Sequence, residues 1–153
     1  MSEHKAFINW TRNGPDFLKG RYSREHTWRF DSGIEVPASP SPSVVPAPWS
    51  NSAAVDPEEA FVAAVSSCHM LTFLFLASRK GFQVDSYSDE AIGVMTKNDS
   101  GVPWVSAITL NVRIVYGNDH RPSPADEDAL HHAAHEQCFI ANSIKTAVTV
   151  RKA

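Results

Sequence analysis

Residues 58–81, EEAFVAAVSSCHMLTFLFLASRKG, form a nearly unbroken apolar run that carries one cysteine, Cys68, with a histidine beside it. Ahead of the run, Asp56 is a good N-cap, Pro57 suits the first helical position, and Glu58 and Glu59 complement the positive end of a helix dipole. The spacing predicts a helix that stops at Gly81. From Ala60 to Ala77 it is nearly long enough to cross a bilayer, but Ser66, Ser67, Cys68, His69 and Thr72 make a polar belt in mid-span, so a buried helix of a soluble domain is expected and no membrane partner. Apolar residues on almost every side mean a helix sheathed by protein. A single sheet covers only one face of such a helix, so a homodimer is expected, with two copies of it packed near a two-fold axis.

Working outward, AFINWTRN and YSREHTWRF alternate bulky and polar residues at period two beside the turn signals NGPD and DSG, and read as antiparallel strands. Between Val36 and Trp49, VPASPSPSVVPAPW holds five of the ten prolines and reads as an extended connection. After the helix, residues 84–96 and 104–116 read as two strands forming a hairpin around KNDSGVP. ADEDALHHAAHEQC, starting near Ser123 or Pro124, reads as a second helix that delivers Cys138 at its C-terminal end, and KTAVTVRK closes the chain as a short strand. This order predicts an α+β domain with a largely antiparallel sheet against one central helix.

At 153 residues, 42% hydrophobic and 20% charged, the chain is expected to be one domain over residues 1–153. Fourteen basic against 17 acidic side chains, a formal net charge of -3, leave no basic tract to follow phosphates, so nucleic acid is not an expected partner. The opening MSEHKAFINW has no apolar core of the kind a secretory signal needs, so a reducing cytoplasm is expected, with both cysteines resting as thiols.

On a helical projection Phe61, Val65, Cys68, Thr72 and Phe75 share a face, which reads as buried, and a buried cysteine is most often a small hydrophobe. A reactive thiolate in that setting needs a nearby cation and hydrogen-bond donors. His69 is about a hundred degrees around the helix from Cys68 and reads as a core or interface histidine. Arg21, Arg24 and Arg29 offer guanidinium forks, and Glu58 is a carboxylate that could aim one. Ten helical residues span about 15 Å, so Glu58 cannot touch Cys68 of its own chain and would act indirectly or across subunits. Two other readings compete. His131, His135 and Cys138 recur at helical spacing, with His132 offset, and could bind zinc or copper, while a non-catalytic dimer could hold a small apolar ligand between its subunits.

DPEEAFVAAVSSCHM, followed at long range by AHEQCFIANSIK, resembles the two cysteine motifs of the OsmC/Ohr family, the osmotically inducible and organic hydroperoxide resistance proteins, over essentially the whole chain. The resemblance implies an intertwined α+β homodimer and a thiol peroxidase that reduces organic hydroperoxides to alcohols, reset by an external dithiol, with no metal or organic cofactor. It assigns Cys68 as the peroxidatic cysteine, Cys138 as the resolving cysteine, Glu58 as the carboxylate ten positions before the first, and Arg24, with Arg21 as the fallback, as the arginine. CFIANS, without the proline that usually follows the second cysteine in the hydroperoxide-resistance branch, resembles the broader OsmC branch.

Overall fold

A computed structural model describes residues 1–152. The chain resolves into two compact units, one ending at Ala60 and one beginning at Phe61. In the first, β1 (Ala6–Asn9), β2 (His26–Phe30) and β3 (Glu35–Ala38) form an antiparallel sheet in that order, with Phe7 opposite Arg29 and Thr27 opposite Pro37. The DSG turn joins β2 to β3 through Gly33, whose φ of 86° lies where only glycine sits without strain. The proline-rich segment therefore departs from its expected form at both ends. Its first residues are strand β3, which accepts Pro37 because an edge strand can spare an N–H, and its remainder is a series of tight turns, with Val44 N–H bonding Ser41 and Trp49 N–H bonding Pro46.

Helix α1 (Pro57–Arg79) begins where the expected cap places it. Asp56 Oδ1 accepts the Glu59 N–H at 2.7 Å and Glu59 Oε2 accepts the Asp56 N–H at 3.4 Å, a reciprocal capping box. It ends on Gly81 at φ 79°, with the Gly81 N–H bonded to Ser78 and that of Phe82 to Ala77.

In the second unit, β6 (Pro103–Tyr116) is the strand on which the others assemble. β4 (Val84–Asp89) pairs antiparallel with residues 112–116 of β6 and β5 (Ile92–Lys97) with residues 103–109, while β7 (Ala147–Lys152) runs parallel to residues 107–112. Since Val112 pairs with both Asp89 and Lys152, and Ala107 with both Val94 and Ala147, β4 and β5 share one edge of β6 and β7 occupies the other. The single strand expected over residues 84–96 is thus broken at Glu90 and Ala91, and the KNDSGVP hairpin joins β5 to β6. α2 (Pro124–Gln137) crosses from β6 to β7, capped by Ser123 in a box with Asp126. Tyr116 donates to Glu127 Oε2 at 2.8 Å, tying the end of β6 to the first turns of α2.

The buried stripe of α1 is Val65, His69, Phe73 and Ala77, four residues at i, i+4 spacing. Val65 packs with Ile108, Leu110 and Val112 of β6, and Phe73 and Ala77 pack with Leu130 and Ala134 of α2. Each large apolar side chain buried in this way contributes roughly 1.5–3 kcal/mol. The stripe corrects the expected one: Phe75 is 59% exposed and Cys68 only half-buried, because the sheet and α2 meet α1 one position farther around. α1 is the one described helix long and apolar enough to cross a membrane, and 22% of that apolar span is buried within the chain. Gly93 of β5 sits so close that a β-carbon there would lie 2.5 Å from Val62 Cγ2, so β5 approaches α1 only because that carbon is missing.

Candidate active site

Three features of the second unit bring its two cysteines together. α1 presents Cys68 beside its buried stripe, α2 ends with Cys138 as its C-cap, and Ile140, Ile144, Val148 and Val150 pack the following chain onto the Val65 cluster. Both cysteines are free thiols, and Cys68 lies close enough to Cys138 to perturb its thiol. Burial, then this neighbouring thiol, push the Cys138 thiol above its ordinary range, while the N–H groups of Ala141 and Ile140 pull against them. The Ala141 N–H points at Cys138 Sγ from 3.4 Å.

CFIANS is the reason those amides are there. After Cys138 the chain enters a 3-10 turn over Ala141–Ser143, and Asn142 Nδ2 donates to the carbonyls of Glu136 (2.8 Å) and Cys138 (2.9 Å), two acceptors that the end of α2 leaves open. Asn142 escaped the sequence analysis because a three-residue turn has no periodicity. An Asn four positions past a helix-terminal cysteine was its only signal.

His69 was expected as a core or interface histidine, and it is core. It is 1% exposed, its ring is nearly parallel to that of His131 (7°), and its Nε2 lies 3.1 Å from His131 Nδ1. Phe73 packs on His131 at 4.5 Å. The outer nitrogens, His69 Nδ1 and His131 Nε2, are buried without a partner among the described residues. The competing reading, a metal set of His131, His135 and Cys138, is not assembled: among the described residues no three histidine, cysteine or acidic side chains converge on a common point, and His131 is turned onto His69 and Phe73. With His131 at its edge, His132, His135, Asp128 and Lys152 line a groove of about 290 Å³ between α2 and β7, where Lys152 pairs with Asp128 at 2.6 Å.

Arg24 and Glu58 lie in the first unit. The Arg24 guanidinium rests 4.1 Å over the Tyr22 ring and donates to the carbonyls of Tyr22 (3.1 Å) and Gly20 (3.5 Å), so the loop before β2 holds it partly buried. Glu58 stands on the first turn of α1, where Glu59, not Glu58, closes the capping box. Among the described residues Arg24 and Glu58 do not form an ion pair within the chain.

A model of the family described as OsmC-like protein matches residues 50–152. The chain belongs to the OsmC-like family. It is similar, at 47% identity and a TM-score of 0.96 with both chains covered in full, to an OsmC-like protein of unknown function from Vibrio cholerae. An organic hydroperoxide resistance protein from Legionella pneumophila shares 16% identity at a TM-score of 0.69, over 99% of this chain and 96% of that one. The organic hydroperoxide resistance protein OhrB of Bacillus subtilis shares 18% at 0.64, over 97% and 98%. These last two share the OsmC-like fold with this chain. The comparison with curated proteins found no match.

Proposed function

We propose that this OsmC-like protein is a thiol peroxidase that reduces organic hydroperoxides to alcohols in the cytoplasm. The observation that carries the reading is the pair of free thiols, Cys68 and Cys138, close enough for one to perturb the other although 70 positions separate them in sequence. Two solved structures with this fold are of organic hydroperoxide resistance proteins, which supports the substrate class.

In this reading the Cys68 thiolate attacks the terminal oxygen of ROOH. The O–O bond breaks, ROH leaves with a proton, and Cys68 becomes a sulfenic acid. Cys138 then attacks the Cys68 sulfur: the S–S bond forms, the S–O bond breaks, and the hydroxyl departs with the thiol proton as water. An external dithiol returns two electrons and two protons by exchange. No metal or organic cofactor enters any step. Arg24, with Arg21 as the alternative, supplies the fixed positive charge that favours the thiolate, and Glu58 aims it, at least one of the two reaching the thiol from the other subunit.

The working form in this reading is a homodimer forming a single OsmC-like domain from each chain. Leu71 and Phe75, four positions apart on one face of α1, are 61% and 59% exposed, a face that a second copy would cover. Titration of the reduced protein with cumene hydroperoxide, followed by mass spectrometry, tests the proposal. A loss of two hydrogens mapped to a Cys68–Cys138 linkage at one equivalent is expected. Unreacted thiols after excess peroxide would overturn it.

A further inference from the structure

The buried histidine pair lies between the two helices that carry the thiols, and the chemistry above does not use it. His69 follows Cys68 directly on α1, while His131 sits seven positions before Cys138 on α2 and so near the same face. Apolar clusters flank the pair, Val65 with the β6 residues on one side and Phe73 and Ala77 with Leu130 and Ala134 on the other. Two apolar side chains would fill this space without stranding two ring nitrogens. The imidazoles bury them, and among the described residues of the chain His69 Nδ1 and His131 Nε2 find no partner. What they gain is direction. A bond of 3.1 Å between near-parallel rings fixes both the separation of α1 and α2 and the rotation of each about its axis, whereas apolar packing tolerates sliding and turning. Rotation matters here because Cys68 projects about a hundred degrees away from His69, so any turn of α1 carries the sulfur sideways.

We propose that His69 and His131 are positioning residues for disulfide closure: their imidazole–imidazole hydrogen bond holds the α1 turn that carries Cys68 in register with the end of α2 that delivers Cys138. This deepens, and rests on, the reading of Cys68 and Cys138 as a reacting pair. The bond needs one proton between the two inner nitrogens, so a neutral pair suffices. Burial, reinforced by His131 and His135, brings His69 down to about 4, and burial also lowers His131, around which Glu127 and Asp128 act against Lys152. The pair is therefore neutral at pH 7.

The test separates hydrogen bonding from packing. His131 bonds through Nδ1, which the Asn amide imitates, and His69 through Nε2, which the Gln amide imitates. Closure of the Cys68–Cys138 bond in reduced protein is driven by the dithiol oxidant diamide and followed by mass spectrometry. Formation of the Cys68 sulfenic acid by cumene hydroperoxide is measured separately, by dimedone trapping in a Cys138→Ser background. His131→Leu is expected to slow closure about tenfold and to leave sulfenic acid formation within about twofold, while His131→Asn stays within about threefold of wild type in closure. His69→Leu and His69→Gln repeat the comparison, so the outcome does not hang on one variant folding. Closure at the wild-type rate in the Leu variants, or Asn and Gln no better than Leu, overturns the proposal, as does a wild-type protein in which diamide forms no Cys68–Cys138 bond. Wild-type protein that closes with diamide but ignores hydroperoxide overturns the peroxidase reading alone, and the contrast between Leu and amide variants then still supports the positioning role.

Discussion

Cys68 and Cys138 lie beside each other in the fold, yet the backbone treats them differently. Cys68 sits in the middle of a 23-residue helix, where the N–H groups around it are consumed by the helix's own hydrogen bonds. Cys138 sits at a helix end, where the chain turns back and aims the Ala141 N–H at its sulfur. A mid-helix thiol therefore draws no stabilisation from its own main chain, and whatever favours its thiolate must come from side chains. A helix-terminal thiol is served by peptide groups that no single side-chain substitution removes. In the proposed mechanism this difference assigns an arginine to the first sulfur and none to the second.

The largest effect should separate the two thiols by role. Cys68→Ser is expected to lower hydroperoxide consumption by roughly a thousandfold or more, read by loss of peroxide in a ferrous-oxidation assay. Cys138→Ser is expected to keep the first turnover and lose the later ones, leaving a dimedone-reactive Cys68. Equal loss of the first turnover in both variants would erase the distinction between them. Next, Arg24→Met should slow the first oxidation by about 10–100-fold in stopped-flow fluorescence and leave diamide-driven closure near the wild-type rate, whereas Arg21→Met should do neither. Slowed closure in Arg24→Met would mean that the guanidinium organises both sulfurs.

How much of this was legible in the residues depends on how far each feature's signal spreads along the chain. Both helices, their caps at Asp56 and Ser123, and the β5–β6 hairpin were readable because capping and turn chemistry is local. The break at Glu90 and Ala91 was not, since β4 and β5 run along one edge of the same long strand and only pairing with β6 separates them. Strand β3 hid behind its proline. The buried face of α1 was placed one position off, because a helix with apolar residues all round has no moment from which to read which side the sheet will take. The two cysteines could be named from their motifs, but their meeting depends on α2 packing across Phe73 and Ala77, contacts that span more than fifty residues. The pairing of His131 was hidden for the same reason: its partner, His69, is 62 positions away.

Smaller effects sharpen the contrast further. His69, held low to about 4, favours the folded state when neutral, while an unfolded histidine titrates near its usual 6.5. Its contribution is thus complete above pH 6.5 and is lost as the pH falls toward 4, with His131 acting in the same direction. Urea unfolding should show a drop of about 2–3 kcal/mol between pH 7 and pH 4 that shrinks in the doubly substituted His69→Gln, His131→Asn protein. Last, Asn142→Ala removes two side-chain bonds that brace the turn after Cys138, at a cost of about 1–2 kcal/mol in unfolding free energy. It should slow closure without touching the first oxidation, and an effect on the first oxidation would show that the two surroundings are not independent.

Gly93 gives the site a tolerance that no reactive residue sets. With a hydrogen where other residues carry carbon, it lets the sheet press against Val62, six positions before the first sulfur. Everything farther along that helix inherits the spacing. A single added methyl at 93 would act as a wedge at the root of a lever, and the gap it opened would be felt at the tip, where two sulfur atoms must come within bonding range.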